Sequence, residues 1–306
     1  MQTAVRGDAR QGVRRRRPAG DLLLVVNPHA SRVRPNLVAG VEAELARRGT
    51  ASRTLVTESP SEWIEALERS GERRVVLVGG DGTLHEAANT VGPRPELALI
   101  PAGSANNVAH SLGIPIDPAA AVRLAVEGRA KPIDLIEAVT PSCRHLTVEG
   151  ISAGFLSEAR SHYRGANSTN VASALAAGAK AIAHFHPFRV RITRGTRVDD
   201  LTLMQLFVAN LPLYAFGLHV ASDVDPTDRL LDVVAIEGRG RAGLLPMLAR
   251  LRHGTELDRA EAHQWRTARV RIDTHGAVPV IADSFDLGAG PVDVSVLPSA
   301  LPLVRP

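Results

Sequence analysis

Leu22–Val26 is an unbroken apolar run, the pattern of a strand buried on both faces, and it stops at Asn27-Pro28, where proline cannot continue a ladder. Leu37–Arg48 then places apolar residues at helical spacing up to Gly49. Arg53–Val56 predicts a second strand, and Ser61–Arg69 a helix capped by Ser59 or Ser61. Val75–Val78 is another fully apolar strand, followed by a helix over Leu84–Thr90 and a strand over Leu97–Ile100. This alternation, continuing to about Leu135, predicts a doubly wound, mainly parallel α/β sheet. Beyond Ile136 the period changes. His145–Val148, Phe188–Thr193, Leu201–Ala209, Leu231–Ile236, Ala268–Ile272 and Val292–Leu297 are short and β-rich, and only Asn170–His184 and Ala242–Arg252 are helical. That pattern predicts a mainly antiparallel β-sandwich. The resulting division is a tail over 1–20, an α/β domain over 21–137, a sandwich over 138–286, and a C-terminal segment over 287–306 that returns to the first domain.

Composition narrows the class. The 306 residues are 44% hydrophobic but only 3% aromatic, so the cores rest on Leu, Val, Ile and Ala. A single cysteine, Cys143, excludes a disulfide framework and a multi-cysteine zinc site, and points to a reducing compartment. The longest apolar stretch, Val171–Phe185, is too short to span a bilayer and carries Lys180. The net charge of +4 is unevenly spread. Residues 1–20 hold six arginines against Asp8, whereas the rest holds 30 basic and 31 acidic residues. A body that is not basic argues against nucleic-acid binding. The basic tail suits a solvated terminus or contact with an anionic membrane surface, so the expected location is cytoplasmic or peripheral at the inner membrane face. A homodimer is compatible with the sequence.

The chemistry concentrates after the strands. Val75–Leu84 carries a buried strand straight into Gly79-Gly80-Asp81-Gly82-Thr83, at the carboxyl edge where parallel sheets bind ligands. Glycines let backbone N–H groups approach an anion, and a helix N-terminus favours phosphate. A Cβ at Gly80 or at Gly82 is expected to block that approach. Asp81 would repel phosphate unless it works through magnesium or takes a proton. A tight turn capped by Asp81 explains the loop alone about as well. Asn27–Ser31 and Pro101–Asn107 leave the same edge.

Read in order, the three loops are NPHASR, GGDGTLHE and PAGSANNVA. Together they resemble the diacylglycerol kinase catalytic-domain family, the lipid kinases that include bacterial diacylglycerol kinases, sphingosine kinases and ceramide kinases. The resemblance extends through Ile133-Asp134-Leu135, Val208-Ala209-Asn210 and Val296–Leu301. It implies an NAD-kinase-like first domain, ATP and Mg2+ as cofactors, and a lipid substrate. Nucleotide contacts would come from Asn27, Ser31, Thr57, Gly79, Gly80, Asp81, Gly82, Thr83, Leu84, His85, Gly103, Ser104 and Asn107. Asp81 and Asp134 would organise the magnesium–phosphate network. In the second domain a structural magnesium would fall to Asp228, with carbonyls of Asp225 and Leu230, although the glycine expected after the acid is Arg229.

The departures from the family pattern bear on catalysis. The family's D-G-E element falls at Asp283-Ser284-Phe285, placing phenylalanine where the glutamate base is expected. Asp283 and Asp286 are the nearest substitutes, Asp286 only through a bulge, because a shift of one residue reverses the face of a strand. Asp81 is the alternative base. Asn107 stands where many relatives have Asp. His85-Glu86 lacks the second ligand of a zinc helix, since the fifth residue is Asn89. Three function classes stay open: an active kinase phosphorylating a hydroxyl of diacylglycerol or a sphingoid-type lipid, a catalytically weakened nucleotide- or lipid-binding protein, and an NAD-kinase-like enzyme.

Overall fold

The computed structural model describes residues 22–57, 59, 62, 65, 74–90, 95–164, 179–238, 240–255 and 261–306. The basic tail and most of the helix expected over 61–69 lie outside the described residues, as does most of the helical stretch expected over 170–184. Four strands, β1 (Leu22–Val26), β2 (Ser52–Val56), β3 (Arg74–Gly79) and β4 (Glu96–Pro101), form a parallel sheet in the order β2-β1-β3-β4. Four helices accompany it: α1 (Pro35–Arg47), α2 (Asp81–Thr90), α3 (Asn107–Leu112) and α4 (Pro118–Glu127).

Alternate residues of each strand face opposite layers, which explains the unbroken apolar runs. Leu23, Val25, Val75, Leu77, Leu97 and Leu99 pack on Leu84, Ala87 and Ala88 of α2 and Val108 of α3. Leu24, Val26, Val76, Val78, Ala98 and Ile100 pack on Val41 and Leu45 of α1 and Val122 of α4. Both faces are covered, as a doubly wound sheet requires.

The second region opens with β5 (Ala130–Val139), β6 (Arg144–Thr147) and β7 (Gly150–Gly154), followed by helix α5 (Phe155–Arg164). The strands β8 (Phe188–Arg194), β9 (Arg197–Ala209), β10 (Leu213–Tyr214), β11 (Leu218–His219) and β12 (Leu231–Glu237) precede helix α6 (Leu244–His253). The chain then forms β13 (Ala262–Thr267), β14 (Arg269–Asp273), β15 (Val280–Ala282), β16 (Phe285–Asp286) and β17 (Val292–Val304). Its pairings are antiparallel. Residues such as Phe188, Val190 and Ile192 on β8 pack with Leu206, Val208, Val233 and Val270 into one core.

β17 continues well past Leu297. It pairs with β14 and β5 and then lies beside β4, Leu303 opposite Leu97. A register shift between Leu297 and Leu301 breaks the ladder with β5, and Ser299 there adopts φ 51°. Asp134 of β5 fills that break, its Oδ1 accepting the Ser299 N–H at 2.7 Å. One covalent strand thus ties the antiparallel core to the parallel sheet.

Candidate active site at the carboxyl edge of the parallel sheet

The loops after β1, β3 and β4 meet through direct contacts. Asn27 Nδ2 donates to Thr83 Oγ1 at 3.0 Å, and Ser104 Oγ donates to Ser31 Oγ at 2.8 Å. Gly80 and Gly103 approach so closely that a Cβ at either would lie 2.7 or 2.6 Å from the other's Cα. Asn106, in a left-handed conformation at φ 51°, locks the Gly103 turn, its Oδ1 accepting the Gly103 N–H at 2.8 Å. Arg32 joins the edge as well, its backbone N–H donating to Ala102 O and its guanidinium to Ser104 O. The result is a rim of glycine backbone, hydroxyls and one guanidinium at the N-terminus of α2.

Gly82 has open space around it beyond its chain neighbours and its own helix, so its backbone lies open to a ligand. Other expected contacts are placed otherwise. Leu84 is fully buried in the core between sheet and α2 and points away from the rim. Thr57 is buried, with its hydroxyl donating to Glu62 Oε2 at 2.6 Å and lying 2.9 Å from Ser59 O. Asp81 begins α2 rather than sitting in a loop, and its carboxylate accepts the N–H groups of Asn107 at 2.9 Å and Val108 at 3.0 Å, holding the start of α3. Burial, and to a lesser extent Asp283, push its pKa up, while those two N–H groups oppose the shift.

Beneath the rim lies a buried polar cluster that joins the two regions. Asp283 and Ser284 form the two-residue turn between β15 and β16, with Ala282 paired to Phe285. Asp283 takes φ 46° there, a conformation aspartate tolerates better than most residues, and its side chain turns inward. Its carboxylate accepts the N–H groups of Val148 and Gly150 at 2.9 Å and of Glu149 at 3.2 Å, and lies 2.5 Å from His85 Nδ1. Burial by itself would raise the Asp283 pKa, but His85, Thr147 and the Gly150 N–H together hold it below the ordinary value. His85 therefore faces the second region, not the nucleotide rim. Its Nε2 is 2.7 Å from His145 Nε2, and His145 stacks on Phe285 with ring centroids 4.1 Å apart. Burial, then His85, lower the His145 pKa to about 4.

Glu149 completes the cluster. It is buried, and accepts Asn107 Nδ2 at 2.8 Å. Burial, Asp283 and Asp81 together raise its pKa well above the ordinary range. Asn107 Nδ2 also donates to Ala215 O, while Asn107 Oδ1 is a buried acceptor with no donor among the described residues. Asp286, by contrast, is exposed on β16 and accepts the Gly288 N–H in a local turn. The bulge that would have carried it into the site does not form.

Comparison with known proteins decides what this rim and cluster belong to. Residues 21–138 match the diacylglycerol kinase catalytic domain, and residues 150–305 match the YegS C-terminal NAD kinase beta sandwich-like domain. The chain belongs to the diacylglycerol kinase catalytic-domain family. It is 27% identical to "Diacylglycerol kinase" of Mycobacterium tuberculosis, an alignment covering 96% of this chain and 98% of that one. It is 40% identical over 78 residues, 24% of this chain and 26% of the relative, to "Probable lipid kinase YegS-like" of Cronobacter sakazakii. In fold it is similar to a diacylglycerol kinase from Bacillus anthracis, with a TM-score of 0.70 at 19% identity over 94% of this chain and 97% of that one. An NAD kinase from Archaeoglobus fulgidus shares the fold at a TM-score of 0.51 and 14% identity, covering 93% of each chain. The α/β region with parallel strands and the antiparallel second region are the architecture of that family.

The metal positions implied by the family fit unevenly. Buried Asp134 accepts the Arg229 N–H on Oδ2 at 2.8 Å and the Ser299 N–H on Oδ1, one backbone bond per oxygen as at Asp81, and so ties β5 to the loop before β12 and to β17. In the loop before β12, Asp225 Oδ1 accepts from the Thr227 N–H and hydroxyl, and Asp228 Oδ1 accepts the Leu230 N–H. Arg266 of β13 pairs with Asp228 Oδ2 and lies 3.4 Å from Asp232. Arg229 itself holds the left-handed φ of 66° where glycine is expected. Among the described residues no group of three or more His, Cys, Asp or Glu side chains is arranged to hold a metal. Asp228 Oδ2 and Asp232 Oδ2 are nevertheless buried acceptors without a hydrogen-bond partner among the described residues, and burial, then Asp223, raise the Asp232 pKa to about 6, so Arg266 occupies this loop without fully neutralising it.

Sequence reasoning missed Glu149, His145, Arg32 and Asn106. Glu149 carried a readable signal, a lone acid beside the small and apolar residues of Gly150–Gly154. The other three had none, because their roles exist only through contacts across 57 or more residues or through a left-handed turn.

Proposed function

We propose that this chain transfers the γ-phosphoryl group of ATP, bound with magnesium, to a hydroxyl of diacylglycerol or a sphingoid-type lipid at a membrane surface. The observation that carries the reading is the convergence of three loops on one sheet edge, sealed by the Gly80–Gly103 contact. Such a rim offers backbone donors and hydroxyls to phosphate oxygens, and phosphoryl transfer asks a protein mainly for positioning and charge neutralisation. Asn27, Ser31, Gly79, Gly80, Thr83, Gly103 and Ser104 would line the nucleotide, with Arg32 reaching a phosphate. Asp81 would share in holding the magnesium, since each of its oxygens keeps a lone pair beyond its backbone hydrogen bond. The metal would supply neutralisation of the phosphate charge.

The lipid side of the reading draws on Phe216. It is 80% exposed at the tip of the β10–β11 ribbon, and the neighbouring Ala215 carbonyl is the one that accepts Asn107 Nδ2. An apolar tip coupled to the site suits insertion among acyl chains, and a basic segment over 1–20 suits anionic headgroups. The test is a panel of diacylglycerol, sphingosine, ceramide and NAD, each with labelled ATP and lipids in mixed micelles. Label transfer to a lipid and not to NAD is expected. Transfer to NAD alone, or to no acceptor, refutes the reading.

A further inference from the structure

The two most exposed large apolar side chains among the described residues are Phe216, at 80%, and Leu245, at 63%. They lie on two elements that pack against each other. Leu244, Met247 and Leu251 of α6 share one core with Tyr214 and Leu218 of the β10–β11 ribbon, and a Cβ on Gly254, just past α6, would lie 3.3 Å from the His219 ring. With that face of α6 buried, Leu245, Ala249 and Arg252 stand on one exposed stripe, spaced i, i+4 and i+7. Charge follows the same outline. Residues 211–222 and 240–255 hold no acidic residue, while the second stretch holds Arg241, Arg250, Arg252 and His253. Arg241 is tied to the Phe185 carbonyl and Arg250 to Glu261, whereas Arg252 and His253 stand exposed beside the ribbon.

We propose that the tip of the β10–β11 ribbon and the exposed stripe of α6 form one surface for an anionic lipid bilayer, and that Asn107 links docking there to nucleotide binding. The inference rests on the lipid-kinase reading above. Two large apolar side chains, with basic residues beside them and no acid among them, complement acyl chains and anionic headgroups together.

The link consists of two consecutive hydrogen bonds. The Ala215 carbonyl, next to Phe216, accepts Asn107 Nδ2, and the Asn107 N–H donates to Asp81 Oδ2 at 2.9 Å. Asp81 directly follows Gly80 of the nucleotide rim. Ala215 adopts φ 52° and Gly217 φ 77°, so the tip is a left-handed turn, a conformation alanine disfavours. Asn107 Oδ1 has no donor among the described residues, so its amide is oriented through Nδ2 alone, by Glu149 and by the Ala215 carbonyl. A bilayer that fixes Phe216 fixes that carbonyl, and with it the residue whose N–H holds Asp81. Magnesium-bound nucleotide draws on the same Asp81. Each ligand therefore lowers the ordering cost of the other, a positive coupling that needs no change of fold.

The test uses the full chain, vesicles of phosphatidylcholine and phosphatidylglycerol that contain no acceptor, and a non-hydrolysable ATP analogue with magnesium. Phe216→Ser and Leu245→Ser should each weaken co-sedimentation about tenfold, the fold-change expected when one large apolar side chain is no longer buried. Arg252→Glu should weaken it at low salt only. The analogue should tighten vesicle binding by the wild type about fivefold or more, and vesicles should tighten analogue binding by the same factor. Asn107→Leu, which removes the donor to Ala215, should keep vesicle binding and bring that factor to about one. Unchanged vesicle binding in folded Phe216→Ser, Leu245→Ser and Arg252→Glu overturns the surface. Loss of a homodimer in Leu245→Ser, without vesicle binding by the wild type, overturns it too and assigns the face to a second copy of the chain. A factor of one in the wild type overturns the link with no variant needed. None of these readouts requires turnover, so a chain that meets them yet labels no lipid in the acceptor panel loses the kinase reading and keeps this one.

Discussion

Replacing Gly80 with alanine probes the closest approach at the nucleotide rim. The added Cβ would fall 2.7 Å from the Gly103 Cα and 3.3 Å from its nitrogen, whereas ordinary contact begins at 3.4 Å. Both obstructing atoms are backbone, so no side chain can swing aside. The loops are also pinned from behind, by the Ala102 N–H donating to Gly79 O at 2.6 Å and by Asn106 on Gly103. Overpacking of this kind costs about 1–3 kcal/mol. At about 2 °C per kcal/mol for a chain of this size, the nucleotide-free melting temperature should fall by about 2–6 °C. Gly82→Ala is the matched control, because its Cβ meets nothing within 4 Å and alanine is favoured over glycine in a helix by about 0.5–1 kcal/mol. That variant should melt at or slightly above the wild-type temperature. Magnesium-ATP at 100 times its Kd should stabilise the wild type by about 2.7 kcal/mol, an increment that Gly80→Ala should largely lose. If Gly80→Ala melts with the wild type and keeps the ATP increment, the two loops do not meet as described.

Other expectations can be checked with similar means. Because the folded pKa of Glu149 lies well above 4.5, its proton is held by the folded state and released by the unfolded chain, so stability drains away as pH rises through that interval. Glu149→Gln keeps an acceptor for Asn107 and should melt higher than the wild type at pH 8, with the gap narrowing toward pH 5; an equal gap at both values refutes the argument. If Arg266 takes the place of a cation beside Asp228 and Asp232, chelation of divalent cations should leave the melting temperature of the nucleotide-free protein unchanged. Arg266→Gln should cost about 1 kcal/mol and create a stabilising response to magnesium, and a chelator effect on the wild type would show that a metal is held after all. Deleting residues 1–20 or changing Phe216 to Ser should each weaken co-sedimentation with anionic vesicles, the deletion only at low salt and Phe216→Ser at any salt. Equal binding by all three proteins would remove both elements from membrane contact.

What the chain declared by itself was local in origin. Unbroken apolar runs at Leu22–Val26 and Val75–Val78 can be satisfied only by strands covered on both faces, and the glycine- and hydroxyl-rich loops that follow them must emerge at one edge. The family motif was legible for the same reason, since phosphate cradles are built from contiguous backbone. Tertiary structure decided what spacing along the chain does not encode. Gly80 and Gly82 look alike in sequence, yet only Gly80 faces another loop. His85 sits within a phosphate motif, but α2 turns it toward Asp283, 198 residues away. Asp283 and Asp286 both stood as candidates, Asp286 only through a bulge, until a two-residue turn sent one carboxylate inward among backbone N–H groups and left the other in solvent. Arg266 reached the acidic loop only because β13 pairs with β12, placing Arg266 opposite Asp232. The charge and hydrogen-bonding partners of a buried group come from whichever elements pack against it, and those elements are chosen by burial of the whole core, not by their distance along the chain.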